Sequence, residues 1–203
     1  MATPARPLDA PDRASVLDTA PRQWVAGLLG RADIRIDGAR PWDMQLHDHA
    51  ALDRALSEGN LGLGEAYMAG AWDCERLDMF FGHLLHSIGK NLRDSVPDRW
   101  IDRHVFPNGD LPSIGQVGDA LDGLFVCEDL HNFGADYDPT LMAWHANFEA
   151  AWPRFAGELG ETFRRKWRYY LLSCAGAFRA RELQLWQWVL SKDGVRGGWR
   201  RPA

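Results

Sequence analysis

Apolar residues recur at three- and four-residue spacing over much of the chain, which is the pattern of amphipathic helices. In the segment 22–30, Trp24, Val25 and Leu28 fall on one face, and Gly30 follows as a stop signal. Similar spacing, interrupted by Pro153 and by the glycines of 157–160, predicts further helices over residues 48–59, 64–72, 75–85, 100–106, 114–121, 139–155 and 161–181.

Shorter alternating runs predict strands. The runs 34–36 and 44–46 flank the turn Asp37-Gly38, which favours a β-hairpin with a long loop. Two later runs have the same character, Leu124–Cys127 and Leu183–Leu190. The first third of the chain is therefore predicted to be a small helical bundle with a hairpin, and the remainder a mixture of helices and strands.

Composition places the chain among globular proteins. Its 203 residues are 46% hydrophobic, and 23 Lys and Arg against 28 Asp and Glu leave a net charge of -5. This balance argues against a protein that binds nucleic acid through bulk positive charge. No apolar run approaches the ~18 residues of a membrane span, so a soluble protein is expected. Residues 1–21 lack the apolar core of a signal peptide and are expected to form a flexible tail.

Cysteine and histidine positions offer no metal site. The three cysteines form no CxxC pair, and we expect them to be reduced thiols in the cytoplasm. The histidine pairs 47/49 and 83/86 lack further ligands at suitable spacing.

The glycine-rich segment 58–64 resembles a phosphate-binding loop only superficially. Such a loop connects a buried strand to a helix N-terminus, whereas a polar helix precedes these glycines. A turn between two helices is the favoured interpretation.

Basic and aromatic residues alternate in the segment 163–170. Arg164, Arg165, Lys166 and Arg168 suit an anionic lipid surface, although a solvated helix face explains the same pattern. Both interpretations remain open.

Residues 133–138 connect a predicted strand to a predicted helix. Asp138 before Pro139 fits an N-cap, and Tyr137 is a candidate hydrogen-bonding group because ligands often bind in such loops.

Several longer segments resemble the cyclopropane-fatty-acyl-phospholipid synthases, in order and over nearly the whole range 24–191. They are Gly62–Met68 with Trp72–Cys74, Phe106–Gly109 with Leu111–Ser113, His131–Tyr137, and Cys174–Arg181. The resemblance implies an enzyme that uses S-adenosylmethionine to convert a cis double bond of a phospholipid acyl chain into a cyclopropane ring. It also implies that a bound bicarbonate accepts the proton, and His86, Ile88 (through its backbone) and Tyr137 match three of the positions that hold bicarbonate in the family.

The departure from this family is large. The family carries a central block before His86, with the S-adenosylmethionine loop and the cysteine and glutamate of the bicarbonate site, and this chain has none of it. Residues 84–89 match a family strand but follow directly on a helical segment, so we interpret the junction as a fusion. The predicted fold is α+β: a tail (1–21), a helical lipid-docking and association domain (22–85), and edge strands plus long helices left from a Rossmann-like methyltransferase domain (86–203).

The resemblance and the departure together define the functional expectation. The chain is expected to be a synthase-like protein that is internally truncated and inactive alone, peripheral on the inner membrane surface and homo-oligomeric, since its residual strands lack partners. The resemblance names S-adenosylmethionine and bicarbonate as cofactors, although binding of either by this chain alone is not expected. The alternative is a non-catalytic lipid-binding or subunit-association module.

Overall fold

The computed structural model describes residues 19–88 and 98–202. The predicted tail lies almost entirely outside the described residues. The helices are α1 (Ala20–Arg31), α2 (Ala50–Glu58), α3 (Asn60–Met68), α4 (Leu77–Ile88), α5 (Arg99–His104), α6 (Ile114–Leu121), α7 (Gly134–Ala151) and α8 (Ala156–Arg179), with a 3-10 turn at Trp152–Arg154. The strands are β1 (Gln45–Leu46), β2 (Trp72–Asp73), β3 (Val126–Asn132) and β4 (Trp186–Ser191). The α+β class is confirmed.

The predicted hairpin near Asp37-Gly38 is wrong. Ile36 and Met44 form one isolated parallel bridge, and β1 pairs antiparallel with the distant β2 instead. The reason is the buried Asp43, whose carboxylate accepts hydrogen bonds from the backbone N–H groups of Arg35 (2.8 Å) and Arg40 (3.0 Å). These bonds hold the segment as a closed loop.

The strand expected at residues 84–88 is also absent. This segment is the last part of α4, because the helical spacing of Phe80, Phe81, Leu84 and Leu85 continues through it. Among the described residues, no strand lies beside it to form a ladder. The helical periodicity therefore decides its conformation.

The C-terminal helices follow the sequence with two adjustments. Helix α6 begins at Ile114, as predicted, and a complete capping box of Ser113 and Gln116 lies at its start. Helix α7 begins at Gly134 rather than at Pro139, so Asp138 is not its N-cap. Gly160 adopts a positive φ of 73° and bends α8 near its start.

One aromatic core joins the two predicted domains. Trp72, Phe80 and Trp100 are fully buried in one cluster with Tyr169 of α8, and the ring centroids of Trp100 and Tyr169 lie 4.6 Å apart. The Tyr169 hydroxyl donates a 2.7 Å hydrogen bond to Asn60 Oδ1. The C-terminal helices therefore complete the core of the N-terminal bundle.

Strands β3 and β4 form a separate two-stranded antiparallel sheet. Strand β3 overlaps the predicted strand Leu124–Cys127 only at Val126 and Cys127, β4 overlaps the predicted strand Leu183–Leu190 from Trp186 onward, and the segment expected as a third strand is part of α4. Much of the surrounding apolar surface is open: α6 buries no residue, and Leu124, Phe125 and Val126 are all exposed.

Candidate functional site

A polar cleft lies where the first turns of α8 meet β2 and the end of α3. It has a volume of about 250 Å³ and is lined by three arginines, three carboxylates, a tyrosine and a cysteine: Arg164, Arg165, Arg168, Asp73, Glu75, Glu161, Tyr67 and Cys74. Three of the four cations predicted to contact lipid are therefore brought to one cleft. Their charge is balanced by the neighbouring carboxylates.

Arg165 is the most strongly held of these cations. Its guanidinium donates to the backbone oxygens of Tyr67 and Trp72, the latter at 2.8 Å, and pairs with Asp73 at 2.7 Å. It also lies 4.1 Å from the centroid of the Tyr67 ring. Because these contacts use most of its donors, Arg165 attaches α8 to the N-terminal bundle.

Arg164 and Arg168 differ in how completely they are paired. Arg164 donates hydrogen bonds to Glu149 of α7 and lies 3.6 Å from Glu161, and its hydrogen bond to Glu149 raises the pKa of Arg164. Arg168 donates a 3.1 Å bond to the Glu75 backbone oxygen, while its buried Nε has no partner among the described residues. Arg168 therefore has the largest unused donor capacity in the cleft.

A half-buried histidine, His145, lies beside this cluster on α7. His145 Nε2 is 3.6 Å from Glu149 Oε1. Burial lowers the pKa of His145, and the positive charges of Arg168 and Arg164 act in the same direction. Burial and the two arginines thus favour the neutral form of the imidazole.

Lys166 differs from its three basic neighbours. Its Nζ lies 5.0 Å from the Phe163 ring centroid, and within the described ranges it forms no salt bridge. It is not part of the cleft lining. Lys166 and Arg168 are therefore the two predicted lipid contacts without a salt bridge in the described residues, and Lys166 is the one outside the cleft.

His86, Ile88 and Tyr137, the predicted bicarbonate positions, lie on two helices. His86 and Ile88 are exposed in the last turn of α4, whereas Tyr137 is in α7, where its ring packs 5.0 Å from Phe178 and 5.7 Å from Trp144. His86 lines an open groove of about 520 Å³ between α4 and the ends of α1 and α8, and Tyr137 is not in its lining. The structure does not gather the three around one cavity.

The strongest buried ion network was not visible in the sequence. Asp78 of α4 is 1% exposed and accepts hydrogen bonds from Arg76 (2.8 Å) and Arg179 (2.7 Å), and Arg179 also pairs with Asp138 (2.9 Å). Burial would raise the pKa of Asp78, but the two arginines outweigh it and hold the pKa at about 2. No sequence signal connects these groups, since Arg179 lies 101 residues from Asp78.

The turn predicted between two helices is present but shorter than the segment 58–64, because α3 already begins at Asn60 and only Gly59 lies between α2 and α3. Gly59 has a positive φ of 63°, and Gly62 and Gly64 lie inside α3. A Cβ on Gly62 would lie 2.2 Å from the Arg54 oxygen, and one on Gly64 would lie 2.4 Å from the Trp100 ring. These glycines allow close packing of protein against protein.

Comparison with known proteins identifies the family. A family model described as mycolic acid cyclopropane synthetase matches residues 78–188, more than half of the chain. The chain belongs to the mycolic acid cyclopropane synthetase family. The match covers Asp78 with Arg179, the arginines of the cleft, all of β3 and the first half of β4.

Relatives are similar over different parts of this chain. The cyclopropane-fatty-acyl-phospholipid synthase of Escherichia coli K12 is 55% identical over 117 residues, which cover 58% of this chain and 30% of that protein. A probable fatty acid methyltransferase of Pseudomonas putida is 36% identical over 83% of this chain and 47% of its own length. Cyclopropane mycolic acid synthase 2 of Mycobacterium leprae is 30% identical over 79% of this chain and 58% of its own length. The chain thus spans less than two thirds of each of these relatives.

Proposed function

We propose that this chain is a cyclopropane-fatty-acyl-phospholipid synthase-like protein that contacts phospholipid but does not transfer a methylene group from S-adenosylmethionine on its own. Family membership and the 55% identity to the Escherichia coli synthase support the lipid-modifying origin. The absence of methylene transfer is proposed because the described part of the chain contains no site suited to S-adenosylmethionine.

The residues present do not fit S-adenosylmethionine. In open α/β sheets a nucleotide-like ligand binds beyond the carboxyl ends of parallel strands, at a glycine-rich turn before a helix. Both sheets among the described residues are two-stranded and antiparallel. The glycine segment 59–64 approaches Arg54 and Trp100 so closely that no ligand can lie against Gly62 or Gly64. We therefore derive no reaction step through this cofactor.

Contact with phospholipid is supported by the basic start of α8. Arg168 retains unpaired donors in the cleft, and Lys166 is free of salt bridges in the described part of the chain. Cations near anionic headgroups contribute about 1 kcal/mol each. In the described residues no helix is both long and apolar enough to cross a bilayer. We propose peripheral attachment at the inner membrane surface.

The second candidate is a non-catalytic lipid-binding or subunit-association module. This candidate is favoured by the salt bridges of Arg164 and Arg165 with carboxylates, which leave the cleft largely neutral. A neutral cleft can bind a ligand or a second subunit without catalysing a reaction. The assignment of His86, Ile88 and Tyr137 to bicarbonate stays a prediction under either candidate.

The test is a calorimetric titration of the purified chain with S-adenosylmethionine, with and without vesicles of oleoyl-phosphatidylglycerol. The same samples are assayed for cyclopropane fatty acids by mass spectrometry, with the Escherichia coli synthase as positive control. We expect vesicle binding without cofactor binding or ring formation. Micromolar cofactor binding or any ring product would overturn the proposal, and loss of vesicle binding would overturn the lipid contact.

A further inference from the structure

The charges that line the cleft beside α8 do not all neutralise each other within the protein. Arg165 pairs with Asp73 at 2.7 Å, and Asp73 also contacts His47 at 3.0 Å. Arg164 pairs with Glu149, which lies outside the cleft lining. These two arginines are therefore already matched by carboxylates.

Three charged groups of the lining remain. Arg168 forms no salt bridge with any described residue, and its buried Nε has no hydrogen-bond acceptor among them. Glu75 is exposed, and its carboxylate likewise has no salt bridge in the described chain. Glu161 is 62% exposed, and its 3.6 Å distance from Arg164 is too long for a hydrogen bond. One unmatched guanidinium thus lines the same cleft as two accessible carboxylates.

The other groups of the lining add no charge. Burial raises the pKa of the Cys74 thiol to about 12 and also raises the pKa of the Tyr67 hydroxyl, so both groups are neutral at neutral pH. The Tyr67 ring is buried, and the Arg165 guanidinium covers one face of it at 4.1 Å from the centroid. A quaternary ammonium binds on open aromatic faces, and the described lining offers it none.

The unmatched charges are neighbours across the cleft. Four charged residues of the lining share one face of α8, because three of them follow the first by three, four and seven positions: Glu161, Arg164, Arg165 and Arg168. Glu75 follows β2, and its backbone oxygen accepts a 3.1 Å hydrogen bond from Arg168. This bond brings Glu75 next to Arg168 and leaves the Arg168 Nε and the Glu75 carboxylate available to a ligand.

We propose that the cleft binds a small zwitterion in which a short chain joins a phosphate to a primary ammonium, as in phosphoethanolamine. The phosphate accepts hydrogen bonds from the unmatched guanidinium of Arg168, and the ammonium donates hydrogen bonds to the carboxylates of Glu75 and Glu161. The same chemistry occurs in a phospholipid headgroup and in the free molecule. Only the headgroup source rests on the phospholipid contact proposed above.

A phosphate without an ammonium suits this cleft less well. The unmatched groups are one cation, Arg168, and two carboxylates, Glu75 and Glu161, so an anion alone is repelled by both carboxylates. Lys166 lies outside the lining and does not change this balance. It stays available to the anionic membrane surface, so the two contacts are separate.

Calorimetric titration of the full chain with phosphoethanolamine tests the site, and phosphocholine and glycerol 3-phosphate serve as comparison ligands. We expect saturable one-to-one binding of phosphoethanolamine. The other two should bind at least about fivefold more weakly, because neither has N–H donors for the carboxylates. Equal affinities for the three ligands, or no binding of phosphoethanolamine at about 10 mM, would overturn the proposal.

Two substitutions remove the two ends of the site. Arg168→Gln should weaken phosphoethanolamine binding at least about tenfold, because the phosphate loses its cation. Glu75→Gln should weaken phosphoethanolamine binding at least about threefold and strengthen glycerol 3-phosphate binding by a similar factor, because a repelling carboxylate is removed. A folding defect does not produce opposite changes for two ligands. Arg196→Gln, at an exposed arginine outside the lining, is the control and should leave both affinities unchanged.

Unchanged phosphoethanolamine affinity in Arg168→Gln or Glu75→Gln would overturn the proposal. A Glu75→Gln variant that changes both affinities in the same direction would also overturn it, since the carboxylate then does not distinguish the ligands.

Vesicles distinguish the two sources of the ligand. Phosphatidylcholine vesicles with and without phosphatidylethanolamine have the same net charge, so attraction to Lys166 does not differ between them. Stronger binding to the mixed vesicles, reduced by Glu75→Gln, supports a lipid headgroup. Binding of free phosphoethanolamine without that increase supports the free molecule, and failure of both overturns the site. Loss of binding to phosphatidylglycerol vesicles would overturn the proposed phospholipid contact and leave a site for the free molecule in place.

Discussion

Asp78 is the residue on which the contact between α4 and α8 most depends electrostatically. It is buried, while Arg76 and Arg179 are 45% and 35% exposed. We expect Asp78→Asn to lower the free energy of unfolding by about 1–3 kcal/mol, because the two arginines lose a charged acceptor but keep access to water. Urea denaturation monitored by circular dichroism measures the loss. Asp119→Asn on the exposed α6 is the control and should change little.

The same residue predicts a dependence of stability on acid pH. The folded-state pKa of Asp78 is about 2, below its ordinary 3.8, and hydrogen bonds from Arg40 hold the pKa of Asp43 at about 2 as well. A lowered carboxyl pKa contributes stability above the unfolded pKa and loses it as pH falls through the folded one. We therefore expect the free energy of unfolding to decrease between pH 4 and pH 2. Asp78→Asn should reduce this slope; an unchanged slope would contradict the assignment.

Arg165 and Lys166 are adjacent in sequence but have opposite roles. Arg165→Gln should destabilise the fold by about 1–3 kcal/mol, because it leaves the Tyr67 and Trp72 carbonyls and Asp73 without their donor. Lys166→Gln should leave stability within about 0.5 kcal/mol of the parent protein. Thermal melts of both variants provide the comparison, and equal losses would contradict it.

These two side chains show how far the sequence can predict the site. The run 163–170 correctly indicated a basic helix segment, and the cleft does contain three of its arginines. Which cation is paired depends on Asp73, Glu75 and Glu149, which come from other elements and leave no periodic signal. The lipid contacts of these cations remain a prediction.

At the scale of elements, the crossing of α4 and α8 depends on Gly176. A Cβ there would lie 2.6 Å from the Phe81 Cβ and 2.7 Å from the Asp78 oxygen. We expect Gly176→Ala to destabilise the protein by about 1–3 kcal/mol, because the helices must separate. Gly157→Ala, in the same helix but with no atom within 4 Å, should instead stabilise by up to about 1 kcal/mol. A lower melting temperature for Gly176→Ala and a higher one for Gly157→Ala would confirm both predictions. Equal shifts for the two variants would contradict the close contact at Gly176.

Most helices were predicted correctly because their apolar spacing is regular and their ends carry clear signals, as at Ser113 and Gly59. The two wrong strand predictions have one cause. The predicted hairpin at 34–46 and the strand at 84–88 both required a neighbour that only the tertiary structure can supply. In the first case β2 pairs with β1 instead, and in the second no strand is adjacent in the described chain.

At the scale of the whole molecule, the domains predicted as 22–85 and 86–203 share one core. Trp100, Tyr169 and Leu172 are buried in the same cluster as Trp72 and Phe80. We expect a fragment of residues 1–88 to lack a cooperative unfolding transition, because it exposes the apolar surface that these three residues cover. Near-ultraviolet circular dichroism and urea titration of the fragment test this. A sharp transition would show that the bundle folds independently.

The last turn of α4 has an evolutionary consequence. His86, Ser87 and Ile88 are exposed, and none of their side chains belongs to the aromatic core. Insertions are tolerated best where the affected residues are exposed and outside the core. An in-frame gain or loss of a whole module at this position would leave the interior packing intact. The fusion predicted at residues 84–89 would therefore fall at a position where such a change leaves the core unaffected.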